Sequence, residues 1–181
     1  MRIIHTAIPD LLIVEPRVFS DDRGFFFESF NRSRFAELTG RDLDFVQDNH
    51  SRSAQNVLRG LHYQIQHPQG KLVRVVEGAV LDVAVDIRKS SSTFGKYVAL
   101  ELSAENKLML WIPEGFAHGF SVLTETAEFL YKTTDYWYPE HERCLRWDDP
   151  ALAIDWKQKE VPMVSIKDAQ GKTLADAELF A

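Results

Sequence analysis

The stretch Val80-Leu81-Asp82-Val83-Ala84-Val85-Asp86-Ile87 decides the fold class. Leu81, Val83, Val85 and Ile87 fall on every second position, with Asp82 and Asp86 among the residues between them. Successive side chains of extended backbone point to opposite faces, so a period of two marks a strand, whereas a helix repeats near 3.6. Working outward, segments 11–19, 25–30, 45–50, 58–64, 72–77, 97–102, 108–112, 119–123 and 128–133 are rich in Val, Ile, Phe, Tyr and Trp and are split by Gly, Pro, Asp or Ser. Each reads as a strand. Gly78, between two of them, is placed for a tight turn.

Helical signals are few. Asn31 is suited to cap a helix carrying Phe35 and Leu38, with Gly40 ending it. A second helical turn is expected after Asp148-Asp149-Pro150, since proline suits a first helical position. Many short strands with few helices predict an all-β sandwich, jelly roll or barrel, which takes its ligand in the mouth between the sheets. No repeat, low-complexity tract or Gly/Ser/Pro-rich linker interrupts the 181 residues, so residues 1–181 read as a single domain.

The chain has 21 Lys and Arg against 27 Asp and Glu, a net charge of −6. That balance disfavours nucleic acid and anionic membranes as partners, both of which want a basic face. It leaves an anionic small molecule open, because a few local Arg and Lys reverse the field inside a cleft. One cysteine, Cys144, excludes a disulfide within the chain and argues against a thiolate metal cluster. The opening Met1-Arg2-Ile3-Ile4-His5-Thr6 lacks the apolar run of a signal peptide, and no window reaches the roughly 18 apolar residues of a membrane span. A cytoplasmic location is expected.

Three stretches carry chemistry. Arg59-Gly60-Leu61-His62-Tyr63-Gln64 sets Arg and His three apart on a strand. Taken alone it reads equally as a hydrogen-bonded core histidine with a surface arginine. Strict alternation puts Arg59 and His62 on opposite faces, so a shared cavity requires a bulge or strong twist near Gly60. Lys71 opens a strand after Gln69-Gly70; by itself it reads as a solvated lysine. Pro113-Glu114-Gly115-Phe116-Ala117-His118 resembles the second motif of the cupin superfamily. In metal-binding cupins the first motif supplies His-x-His, but here the matching residues are His62-Tyr63-Gln64, and Gln is a poor ligand for a transition metal. No catalytic metal is expected.

Read in order, these stretches resemble the dTDP-4-dehydrorhamnose 3,5-epimerase family. The likeness extends over Asp22-Arg23-Gly24-Phe25-Phe26-Phe27-Glu28, Gln47-Asp48-Asn49-His50-Ser51, Gly70-Lys71-Leu72-Val73-Arg74, Tyr131-Lys132, Pro139-Glu140-His141-Glu142, Asp155-Trp156 and Ser165-Ile166-Lys167-Asp168. It implies an isomerase with a cupin-type antiparallel jelly-roll barrel. The activity it implies converts dTDP-4-dehydro-6-deoxy-D-glucose to dTDP-4-dehydro-L-rhamnose, in dTDP-rhamnose biosynthesis for cell-surface polysaccharide. No cofactor is expected, because the ketone that acidifies the neighbouring C–H bonds is already in the substrate.

By this resemblance His62 is the base and Asp168 its partner, which on position alone reads as a surface carboxylate. Lys71 stabilises the enolate. Tyr131 is the acid, although alternation with Phe129 also fits a core aromatic. Arg23, Arg59 and Lys167 are expected on the nucleotide or diphosphate, since a planar guanidinium donates two parallel hydrogen bonds to phosphate. Glu28, Gln47, Asp48, Asn49, His118 and Glu142 are expected to bind other parts of the substrate. Phe26 is expected to stack on the base, or is simply one of the apolar run 25–27. Tyr136 and Tyr138 are further residues within reach of the sugar. The family resemblance also implies a homodimer with N-terminal strand exchange, which would lend Arg23 and Glu28 to the neighbour. The alternatives are a mono-epimerase of a related keto-sugar and a non-catalytic sugar-binding cupin.

Overall fold

The computed structural model describes residues Met1 to Ala181. In chain order the strands are β1 (Arg2–His5), β2 (Leu12–Glu15), β3 (Phe19–Asp21), β4 (Gly24–Phe26), β5 (Gln47–Ala54), β6 (Leu58–Gln64), β7 (Lys71–Glu77), β8 (Ala79–Asp86), β9 (Tyr97–Ser103), β10 (Met109–Ile112), β11 (Phe116–Val122), β12 (Thr126–Thr133) and β13 (Glu142–Cys144). Two α-helices, α1 (Arg32–Thr39) and α2 (Ile166–Ala169), and a short 3-10 helix at Pro139–His141 complete the regular structure.

Six strands form one antiparallel sheet in the order β1-β2-β10-β7-β12-β5, and five form another in the order β13-β6-β11-β8-β9. From β5 to β8 each successive strand changes sheet, and β10 to β13 do the same. This alternation is the antiparallel jelly roll of cupins. It also corrects the reading of Gly78. That residue adopts the left-handed conformation at φ 70°, but the strands it joins, β7 and β8, lie in different sheets and do not form a hairpin.

Inward-pointing Val73, Val75, Val80, Phe116, Phe120 and Phe129 meet between the sheets. Outside the five-stranded sheet, Leu81, Val83 and Val85 pack against Leu61, Leu152 and Trp156. Strand β8 is thus buried on both faces, and its Asp82 and Asp86 are fully enclosed. Asp86 is neutralised by Arg88 at 2.7 Å and accepts from Ser91 and Thr93. Asp82 belongs to the site described below.

Asn31 caps α1 by accepting from the Arg34 N–H, and Gly40 closes it at φ 69°. Phe35 of that helix packs edge-on against Trp111, 5.4 Å between ring centres. Several expected boundaries move. Segment 11–19 is interrupted at Pro16, which has no N–H to donate to a ladder. Of segment 25–30, only residues up to Phe26 are strand. After Pro150 there is a turn and no helix: Leu152 and Ala153 donate to the Asp149 carbonyl, and Ala153 then enters the left-handed region at φ 48°. No helix is long and apolar enough to cross a membrane.

Strands β3 and β4 form a separate two-stranded ribbon that joins neither sheet. Phe19, Phe25 and Phe26 on it are 51%, 61% and 71% exposed. Strand β1, by contrast, pairs with β2 of its own chain.

Candidate active site

A cavity of about 370 Å³ opens between the two sheets, a volume suited to a small-molecule ligand. His62, Lys71, His118 and Tyr131 all line it, with Arg59, Gln47, Asn49 and Glu142 around them.

The bulge that Arg59 and His62 require is present. On β11, His118 pairs with His62 and Phe120 with Arg59, so two residues of β6 (Gly60 and Leu61) oppose the single Gly119. The extra residue turns Arg59 back onto the face of His62. Gly60 sits at φ 108°, and a Cβ there would lie 2.6 Å from the Gly119 Cα and the His118 carbonyl oxygen. Only glycine fits so close an approach of two backbones. The Arg59 guanidinium is then steadied by its Nε donating to Ser53 Oγ at 2.9 Å.

His62 Nε2 lies 2.5 Å from Asp168 Oδ1. Asp168 reaches it from α2, whose first turn is fixed by Ser165 accepting the Asp168 N–H. Burial alone would raise the Asp168 carboxyl, but the His62 hydrogen bond, Ser165 and the Gly60 N–H outweigh it and hold the pKa below the usual carboxylate value. An ionised carboxylate only accepts, so Nε2 carries the ring proton and Nδ1 is left as the basic nitrogen.

Lys71 is buried, and its Nζ donates to the His62 carbonyl at 3.4 Å. Burial pulls its pKa down to about 8, against the charges of Glu142 and Asp82, which favour the ammonium. A second His–Asp pair lies alongside. His118 Nε2 is 2.9 Å from Asp82 Oδ2, both residues are buried, and Asp82 Oδ1 has no hydrogen-bond partner. Tyr131 stands on β12 in the opposite sheet, so it faces the ligand space from the other side of the barrel. Burial raises its hydroxyl pKa, as does Glu142, with Arg59 opposing. A phenol held neutral in this way is a proton donor.

The geometry also explains why a cupin-type metal does not suit positions 62, 64 and 118. Both polar atoms of Gln64 are committed to backbone: Oε1 accepts from Tyr138 N at 2.6 Å, and Nε2 donates to the carbonyls of His67 and Tyr136 at 2.6 and 3.1 Å. Gln64 is therefore a clamp for the loop at 136–138. The member of that run which lines the cavity is Trp137, while Tyr136 and Tyr138 do not. The Trp137 indole N–H donates to Glu142 at 2.9 Å, and its backbone N–H donates to Gln47 Oε1. Sequence reading singled out Tyr136 and Tyr138; which of the three aromatics turns inward depends on the Gln64 contacts.

Not every expected residue arrives. Asp48 lies on the outer face of β5, between the inward Gln47 and Asn49, and pairs with Lys132 at 2.8 Å. The even step of the strand puts it there. Arg23 and Phe26 sit on the β3–β4 ribbon away from the cavity, with Arg23 paired to Asp21 at 2.5 Å. Glu28 is exposed and accepts from Asn31. Lys167 stands at a second opening, with Arg59, His62 and Asp168, and pairs with Glu142 at 2.5 Å.

The sequence profile of the family described as dTDP-4-dehydrorhamnose 3,5-epimerase matches residues 5–176. The chain belongs to this family. A dTDP-4-dehydrorhamnose 3,5-epimerase of Pseudomonas aeruginosa is 63% identical over 180 residues, covering 99% of each chain. One from Salmonella typhimurium is 59% identical over 180 residues, covering 99% of this chain and 98% of that one. Among solved structures, the dTDP-6-deoxy-D-glucose-3,5-epimerase of Legionella pneumophila in complex with dTDP-4-keto-L-rhamnose superposes with a TM-score of 0.96. It is 55% identical, covering 98% of this chain and 94% of that one. The chain is accordingly an isomerase of the carbohydrate epimerases.

Proposed function

We propose that this 3,5-epimerase binds dTDP-4-dehydro-6-deoxy-D-glucose in the cavity between the sheets and inverts C3 and C5 by proton transfer alone. One observation carries the reading: the Asp168-held ring of His62 shares a cavity with the buried Lys71 and, across it, Tyr131. Each inversion removes a proton beside the C4 ketone and returns one to the opposite face. Nδ1 of His62 takes the proton. The developing enolate oxygen meets the Lys71 ammonium, which is already desolvated and interacts strongly with new charge. Tyr131 returns a proton from the other wall, its raised pKa keeping it protonated until needed.

Arg59, Gln47, Asn49, His118 and Glu142 are assigned to substrate binding, with Lys167 at the rim. The cationic Arg59 and Lys71 give the cavity a local field suited to a diphosphate despite the chain's charge of −6. Arg23, Phe26 and Glu28 are assigned across a homodimer. The exposed phenylalanines of the β3–β4 ribbon support this, since an exposed aromatic patch on a polar chain asks for cover. That ribbon, and not the paired β1, is the segment we assign to exchange. Asp48 is left out of the substrate set. The single cysteine, left free, suits a reducing compartment, and a cytoplasmic location is assigned with the rest of this reading.

The test is incubation with the keto-sugar in heavy water containing a chelator, followed by NMR. Deuterium is expected at both C3 and C5, with the L-configured product. Label at one carbon only would identify a mono-epimerase, and binding without label would identify a sugar-binding cupin. Tyr131→Phe is expected to keep part of the exchange, because His62 still removes and returns protons on its own face, but to lose most net inversion. Equal loss of both would contradict the two-face division of labour.

A further inference from the structure

Cys144 has no part in the proton transfers, yet it stands beside them. Strand β13 pairs with β6 so that Cys144 lies directly opposite His62, and its Sγ is 3.8 Å from Asp168 Oδ1. That oxygen is the same one that holds His62 Nε2. The three donor atoms, one N, one S and one O, all fall within 4.8 Å of one another. A tetrahedral zinc with bonds of about 2.0–2.3 Å sets its ligand atoms roughly 3.3–3.6 Å apart. Converting one arrangement to the other needs shifts on the order of 1 Å: His62 and Asp168 part slightly and Cys144 closes in. This set is distinct from the cupin triad, since neither Cys144 nor Asp168 occupies a cupin ligand position. There is also a way in, because His62 and Asp168 line the second opening beside Lys167.

We propose that His62, Cys144 and Asp168 form an inhibitory site for a soft divalent cation of the zinc class. The proposal rests on the reading of His62 as the base. Imidazole, thiolate and carboxylate together suit zinc or cobalt, whereas magnesium and calcium prefer oxygen alone. Binding is balanced as follows. The thiol of Cys144 releases its proton to solvent and the thiolate sulfur bonds the cation. The imidazole proton moves from Nε2 to Nδ1, and the freed Nε2 lone pair bonds the cation, as does Asp168. The imidazole stays neutral overall, but its basic nitrogen is now protonated. The nitrogen that would take the C–H proton is thereby blocked, with no need for the cation to touch the sugar. Burial and the neighbouring Asp168 push the Cys144 thiol up to about 12, so the cation itself must displace that proton; the Lys167 charge, which favours the thiolate, is paired with Glu142 at 2.5 Å.

The experiment titrates cobalt(II) into the full-length protein after chelator treatment and follows absorption, then repeats the exchange assay with zinc. We expect one cobalt per chain with a thiolate-to-cobalt charge-transfer band, and inhibition by zinc but not by magnesium. In Cys144→Ala the band should vanish. The zinc concentration needed for inhibition should rise at least about 10-fold, the low end of what even an outer partner of a metal ligand contributes. Cys144→Ser serves as a second variant should alanine disturb the fold. Absence of the charge-transfer band in the wild-type protein overturns the metal site and leaves the epimerase reading standing. A clear band with undiminished exchange overturns the inhibitory role, and with it the assignment of His62 as base.

Discussion

Replacing His62 by alanine is expected to abolish nearly all deuterium exchange at C3 and C5. The ring supplies a basic nitrogen whose position is fixed by a partner, because Asp168 accepts from Nε2 and leaves Nδ1 as the proton-accepting atom. A positioned general base is worth about 10²–10⁴ in rate, and here it serves the step on which both inversions depend. His62 is only partly buried, so the substitution leaves no large void. Thermal melting and circular dichroism should confirm that the variant folds. Exchange at the wild-type rate in a folded His62→Ala protein would contradict the assignment.

Lys71→Met is expected to lower exchange by about 10²–10³, the usual cost of removing one donor from a developing oxyanion. Stability should move the other way. Lys71 is buried, with only a 3.4 Å hydrogen bond to a carbonyl, and an apolar side chain of similar length removes a desolvated charge. A merely structural lysine would not show lost activity alongside a level or raised melting temperature. The pH profile gives an independent reading. Because burial brings the Lys71 pKa to about 8, the ammonium that stabilises the enolate is lost as pH rises through that value, and wild-type rate should fall there. The residual rate of Lys71→Met should lack that fall. Stability moves the opposite way: the folded pKa lies below the ordinary 10.5, so the charged form opposes folding at neutral pH, and that opposition fades as pH rises between about 8 and 10.5. A wild-type rate that stays level across this range would remove Lys71 from the oxyanion role.

The strands legible in the sequence were those with enough residues to show a period. Segment 58–64 matches β6 residue for residue, and 72–77 and 97–102 each fall one short of their strands. Strand β13 has three residues, too few for any period, yet it brings both Glu142 and Cys144 to the site. The four residues of α2 are equally silent, and it is this turn that carries Asp168 to His62 across 106 positions of sequence. Family resemblance supplied that pairing; spacing could not. The role of Gln64 was half legible: its identity argues against a metal, whereas its hold on the loop around Trp137 depends on backbone folded 72 and 74 positions away.

Local pattern alone determined that the chain is built of many short strands, that Asn31 and Gly40 bound a helix, and that Arg59 and His62 can meet only through a bulge or strong twist. These follow from backbone geometry within a few residues, where side-chain direction is tied to position along the strand. Tertiary structure decided which face of each strand is enclosed, that β8 is buried on both sides, that Asp168 and Cys144 stand beside the His62 ring, and that Lys71 and Tyr131 line the same cavity. Those outcomes come from strands far apart in sequence pairing and packing across a barrel. The free energy that selects them belongs to surfaces buried between elements and is written in no single segment.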